Sequence, residues 1–144
     1  MEYKKMENEI YIRIDPDEDV METIKNVCEQ ENIITAYFQG IGACGNVVLS
    51  TYCPATKEFI EHPYAGMLEM VSLMGNITEN NLGNPSLHAH AVFSYLNENK
   101  EVKTIAGHML KAVISYTGEI VIRVAPEKIG HREDIVPEIN VWKF

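Results

Sequence analysis

Glu119-Ile120-Val121-Ile122-Arg123-Val124 places Ile120, Ile122 and Val124 on one face and Glu119 and Arg123 on the other, the two-residue period of a strand. It ends a longer run, Ala112 to Val124. Upstream lie further runs rich in β-branched and aromatic residues: Ile33 to Gln39, Val47 to Tyr52, Glu58 to His62, Met67 to Met74, Leu87 to Leu96 and Val102 to Ala106. Turn-forming stretches separate them at Gly40 to Asn46, Pro54 to Lys57, Asn76 to Pro85 and Asn97 to Lys100. Short turns between successive strands favour antiparallel pairing. Glu9 to Ile14 alternates as well, and so does Ile139-Asn140-Val141-Trp142, a tail expected to dock on the sheet or on a neighbouring subunit.

One segment has a different period. Val20, Ile24, Val27 and Cys28 recur at i, i+4, i+7 and i+8, one face of a helix running to about Glu31. Asp15-Pro16-Asp17-Glu18 before it reads as the start, with Asp15 as cap, Pro16 in the first turn and Glu18 three residues after the cap. The expected fold is α+β, a mostly antiparallel, strongly bent sheet with one main helix. The 144 residues contain no repeat, low-complexity tract or linker, so they are expected to form a single domain.

Gly40-Ile41-Gly42-Ala43-Cys44-Gly45 matches G-x-G-x-x-G. A dinucleotide site needs those glycines to lead from a strand into a helix whose N-terminus holds the pyrophosphate. Here a strand follows. A turn with positive φ, or tight packing between two strands, is the expected reason for the glycines. No G-x-x-x-x-G-K-[ST] loop is present, which argues against an NTPase.

Charge narrows the function further. Twelve Lys and Arg face 21 Asp and Glu, for a net charge of −9. Duplex binding draws on Lys and Arg neutralising phosphates, so this balance opposes strong direct DNA binding. No apolar stretch approaches the length of a membrane span, the N-terminus has no secretory apolar region, and the three cysteines form no C-x-x-C pair. A cytoplasmic protein with reduced thiols and no membrane association is expected.

The chemistry gathers in Leu87-His88-Ala89-His90-Ala91 and Gly107-His108. On a strand, His88 and His90 point the same way with Cα atoms about 6.5–7 Å apart, while Leu87, Ala89, Ala91 and Phe93 face the core. A turn at Asn97 to Lys100 returns the chain, so that His108 comes alongside, with Gly107 leaving room for close approach. Three neutral imidazoles suit zinc, and also nickel, copper or iron, with a fourth position open. The alternative is three structural histidines. His62 and His131 have no such partners and read as surface or loop residues. Glu69, between Leu68 and Met70, is expected to be half-buried, as a structural partner or as a carboxylate assisting the histidines from their outer shell or in catalysis.

Taken in order, Gly40-Ile41-Gly42, Val47-Val48-Leu49, Gly66 to Asn76, Leu87-His88-Ala89-His90, Ala106-Gly107-His108-Met109 and Gly118-Glu119-Ile120 resemble the PPC domain, the plants-and-prokaryotes-conserved family, over about residues 7 to 125. The resemblance implies an α+β fold, a homotrimer and a zinc ion on His88, His90 and His108. In plant members the domain follows AT-hooks, and prokaryotic members carry a DNA-binding label by that association. This chain has no Arg-Gly-Arg-Pro hook and no basic extension, and Ala106 stands where a glycine is usual.

Three functions follow as expectations. The first is a metal-binding homotrimer that acts as a regulatory module for a small-molecule ligand or a protein partner. The second is a zinc-dependent hydrolase or lyase, in which an open three-His site activates water and Glu69 is the candidate acid or base. The third is DNA binding.

Overall fold

A computed structural model describes residues 1–133 and 140–144. Among the described residues the elements are β1 (Glu2–Met6), β2 (Glu9–Ile14), α1 (Val20–Gln30), β3 (Ala36–Cys53), β4 (Glu58–Glu79), β5 (Pro85–Leu96), β6 (Val102–Val124), β7 (Gly130–Glu133) and β8 (Asn140–Lys143). The architecture is mostly antiparallel strand with one short helix, so the α+β expectation holds with the helix as a minor part.

β3 pairs with both β4 and β6, and β5 also pairs with both, so these four strands close a ring. β6 serves β5 with its first residues and β2 with its last, while β3 runs along most of its other edge. The core is the inside of this sheet, with Phe38, Phe93, Leu73, Ile120 and Ile122 all buried. α1 lays Val20, Ile24, Val27 and Cys28 against it, packing on β5 and β6.

The Gly40 to Asn46 break is absent. β3 passes through it with two bulges, between Gly40 and Gly42 and between Cys44 and Asn46, and so joins two of the expected strands. The reason is close packing, the second of the two expected roles. A Cβ on Gly40 would lie 2.7 Å from the carbonyl oxygen of Glu119, and one on Gly42 would lie 2.6 Å from that of Thr117. β4 likewise merges two expected runs, turning at Gly66 with φ 116°, and β6 merges two more. The Asn76 to Pro85 break shrinks, because β4 continues to Glu79. β1 has no counterpart in the sequence reading, because it pairs only at one edge and needs no apolar alternation.

The helix start also moves. Asp19, not Asp15, is the cap: its carboxylate accepts from the backbone N–H of Glu22 and also from that of Ala112 on β6. Glu18 does accept from the Asp15 backbone N–H at 2.9 Å, but the contact closes a turn. Asp17, at φ 68°, is outside helical geometry there. Of the tail, Ile139 lies outside the described residues; β8 pairs with β7, which joins β4 through the parallel pair Glu79 and Gly130. No helix among the described residues is long and apolar enough to cross a membrane.

Candidate metal centre

The β5–β6 hairpin sets the geometry. Asn97 organises its turn, with Oδ1 accepting from the backbone N–H groups of Asn99 and Glu101, and Lys100 takes φ 61°. That turn fixes a register in which Leu96 faces Val102 and, six residues further on each strand, His90 faces His108. Directly opposed residues share a sheet face, and β5 alternation puts His88 on that face too. Ala89, Ala91 and Phe93 are buried on the other. Gly107 lets β6 approach β3, for a Cβ there would sit 3.1 Å from the Ser50 carbonyl oxygen.

The three rings converge. Centroids are 5.2 Å apart for His88 and His90, 5.0 Å for His88 and His108, and 5.4 Å for His90 and His108. One nitrogen from each lies within 4.8 Å of the others. Nitrogens bound at about 2.0–2.1 Å in tetrahedral geometry sit about 3.4 Å apart, a spacing that small ring rotations reach. Burial, and then the neighbouring imidazoles, hold His88 and His108 below the ordinary histidine pKa. The lowered values favour the neutral form that a metal requires.

The flanking strands supply what such a site lacks. Met74 stands opposite His90, Asn76 opposite His88, and Ser50 opposite His108. Asn76 Oδ1 and Ser50 Oγ are both buried, with no hydrogen-bond partner among the described residues. A metal-bound imidazole donates its second N–H to an acceptor of this kind. Two orphaned acceptors, each beside a different histidine of the trio, fit a metal-loaded site.

Glu69 does not join it. Leu68 and Met70 face the core, which turns Glu69 outward and leaves it exposed rather than half-buried. It pairs with Ser94, four residues and about 13 Å along β5 from His90. His62 lies within β4 opposite Leu49, away from the trio's register. His131 is in β7, not a loop, and its Nε2 lies 2.8 Å from Thr78 Oγ1. Sequence reasoning missed Ser50 and Asn76, which gain meaning only from the register. The one trace was a polar Asn76 within Met74-Gly75-Asn76-Ile77.

The model of the Plants and Prokaryotes Conserved (PCC) domain matches residues 1–126. The chain belongs to this family. Among solved structures it is similar to a candidate DNA-binding protein from Bacteroides thetaiotaomicron, at 26% identity over 99% of this chain and 96% of that one, with a TM-score of 0.90. A plant- and prokaryote-conserved protein from Pyrococcus horikoshii is 27% identical over 99% and 94%, with a TM-score of 0.79. A metal-containing protein from Archaeoglobus fulgidus, at 22% identity over 99% and 96% and a TM-score of 0.81, shares the fold. No curated protein matches the chain. β7 and β8 lie beyond the residues that the PCC model matches.

Proposed function

We propose that this PCC-domain protein is a homotrimeric binding or regulatory module that holds zinc on His88, His90 and His108. The observation that carries the metal reading is the convergence of three imidazole nitrogens within 4.8 Å on an open sheet face. The description of the Archaeoglobus protein as metal-containing agrees with it. When bound, the ion would supply a Lewis-acidic position open to a ligand. The chain's own residues would orient it: β5 and β6 fix the rings, and Asn76 and Ser50 take their second N–H groups.

The trimer reading draws on the outer face beside the site. Ile41, Val71 and Met74 are exposed there and line a groove of about 880 Å³ together with Tyr11 and Val121. Exposed apolar side chains gathered in one groove, bordered by Glu2, Lys4, Arg13 and Glu119, are expected to be covered by another protein surface, here a second copy of the chain.

A hydrolase or lyase would need an acid or base near the open position, and Glu69 is too far along β5 to serve. For DNA, the description of the Bacteroides relative stands against a net charge of −9. Light scattering on the zinc-loaded chain tests the reading. The mass of three chains supports it; a monomer that takes up no metal rejects it. A duplex titration at about 20 mM salt, where the electrostatic attraction is strongest, is expected to show no binding.

A further inference from the structure

Beyond the pair Ser50 and His108, β3 and β4 have no further strand beside them among the described residues, and they continue as a two-stranded arm to the turn Pro54 to Lys57. A two-stranded arm is marginal in water until it packs on something. Parity puts Tyr52, Phe59 and Glu61 on one side of it and Thr51 and Ile60 on the other. The rings of Tyr52 and Phe59 lie 5.3 Å apart and are 43% and 59% exposed. Adjoining aromatics of this kind anchor protein interfaces, because covering them removes a large apolar area from water.

The arm is remote from the chain's own groove. Ile41, in the groove, and Tyr52, in the arm, lie on the same strand, β3, with roughly 35 Å of extended chain between them. Groove and arm are therefore two separate uncovered patches of one molecule. A closed trimer requires such a pair. Each contact around a three-fold axis joins two different patches head to tail, whereas a patch that met its own copy would close a dimer.

The charges of the two patches match. At the groove's border Arg13 is paired with Glu2 and Asp15, at 3.1 and 2.9 Å, which leaves Lys4 without an ion pair among the described residues. On the arm, the exposed Glu61 shares the side of Phe59. Lys57, at the arm's tip, carries the charge opposite to that of Glu119, the other acid at the groove's border.

We infer that the β3–β4 arm of one copy lies in the groove of the next, with Tyr52 and Phe59 against Ile41, Val71 and Met74, and Glu61 beside Lys4. The contact rests on the trimer reading above and needs no metal.

Sedimentation of the full-length chain tests it with two double variants at exposed positions. Tyr52→Ser with Phe59→Ser removes the arm's anchor, and Ile41→Asp with Val71→Asp puts charge into the groove. The wild type is expected to sediment as three chains and each variant alone as one. An equimolar mixture of the variants is expected to sediment as two chains, because the arm of the groove variant meets the intact groove of the arm variant once. Ile60→Ser, on the arm's other side, is expected to leave the trimer in place. Circular dichroism checks that the variants are folded. Should one not fold, hydroxyl-radical footprinting of the wild type decides. Met74 is more exposed than Met67 in the single chain, 65% against 48%, and its place in the groove is expected to make it the less oxidised of the two. A trimer that survives either double variant, a mixture that stays monomeric, a trimer lost in Ile60→Ser, or a Met74 oxidised faster than Met67 overturns the contact. A wild type that does not sediment as three chains rejects the trimer reading, and the contact with it.

Discussion

The two faces of β5 are built from neighbouring residues and do opposite work. Ala89, Ala91 and Phe93 are buried inside the ring and hold the sheet together. His88 and His90 alternate with them on the open face and meet His108 from β6. One face is satisfied by packing alone. The other carries converging nitrogens, with two buried oxygens beside them that have no hydrogen-bond partner among the described residues. Side-chain parity on one strand thus separates the packed core from the proposed metal face.

The strongest test of that separation is Phe93→Ala. Removing a fully buried aromatic costs about 3–5 kcal/mol, to be read from urea unfolding. A loss below about 1 kcal/mol would mean that the inner face is not the structural one. Next comes Gly75→Ala, which probes the contact between the faces. Gly75 stands opposite Ala89, and a Cβ there would collide with the Phe38 ring and sit 2.6 Å from the His88 carbonyl oxygen. A loss of about 1–3 kcal/mol is expected, together with weaker metal binding because β4 must shift away from His88. Destabilisation with unchanged metal affinity would uncouple the two. Asn76→Ala should reverse the pattern, lowering zinc affinity by about tenfold to a hundredfold in a competition titration with a chelator. Unchanged affinity would remove Asn76 from the site.

The smallest effect is chemical. Burial pushes the thiols of Cys28 and Cys44 up to about 12, whereas hydrogen bonds from Thr56 pull that of half-buried Cys53 below its ordinary value. Brief alkylation at neutral pH is expected to mark Cys53 alone, because the thiolate is the reactive form. Equal labelling of Cys28 or Cys44, read by peptide mass, would show that the core opens on that timescale.

What the sequence made legible follows the range of the interactions. Strand alternation is local, so the inner and outer faces of β5 could be read directly, and the Asn97 turn brought His108 to His90. The merging of strands through Gly40 to Asn46 was hidden, because glycines that break a local pattern also permit the close approach of a distant strand. Glu69 was misread for a related reason. Its apolar neighbours Leu68 and Met70 suggested burial, whereas alternation turns position 69 outward. Ser50 and Asn76 were invisible, since their place beside the histidines depends on pairings with residues 58 and 12 positions away.

The central claim is that His88, His90 and His108 hold a metal ion. Metal content per chain, measured by elemental mass spectrometry on untagged wild type and His90→Ala, tests it most directly. Near-stoichiometric zinc in the wild type is expected, lost in the variant, with the metal-free proteins unfolding within about 0.5 kcal/mol of each other, as for a surface substitution. No metal in the wild type after zinc is added back, or equal zinc in both proteins, would contradict the claim.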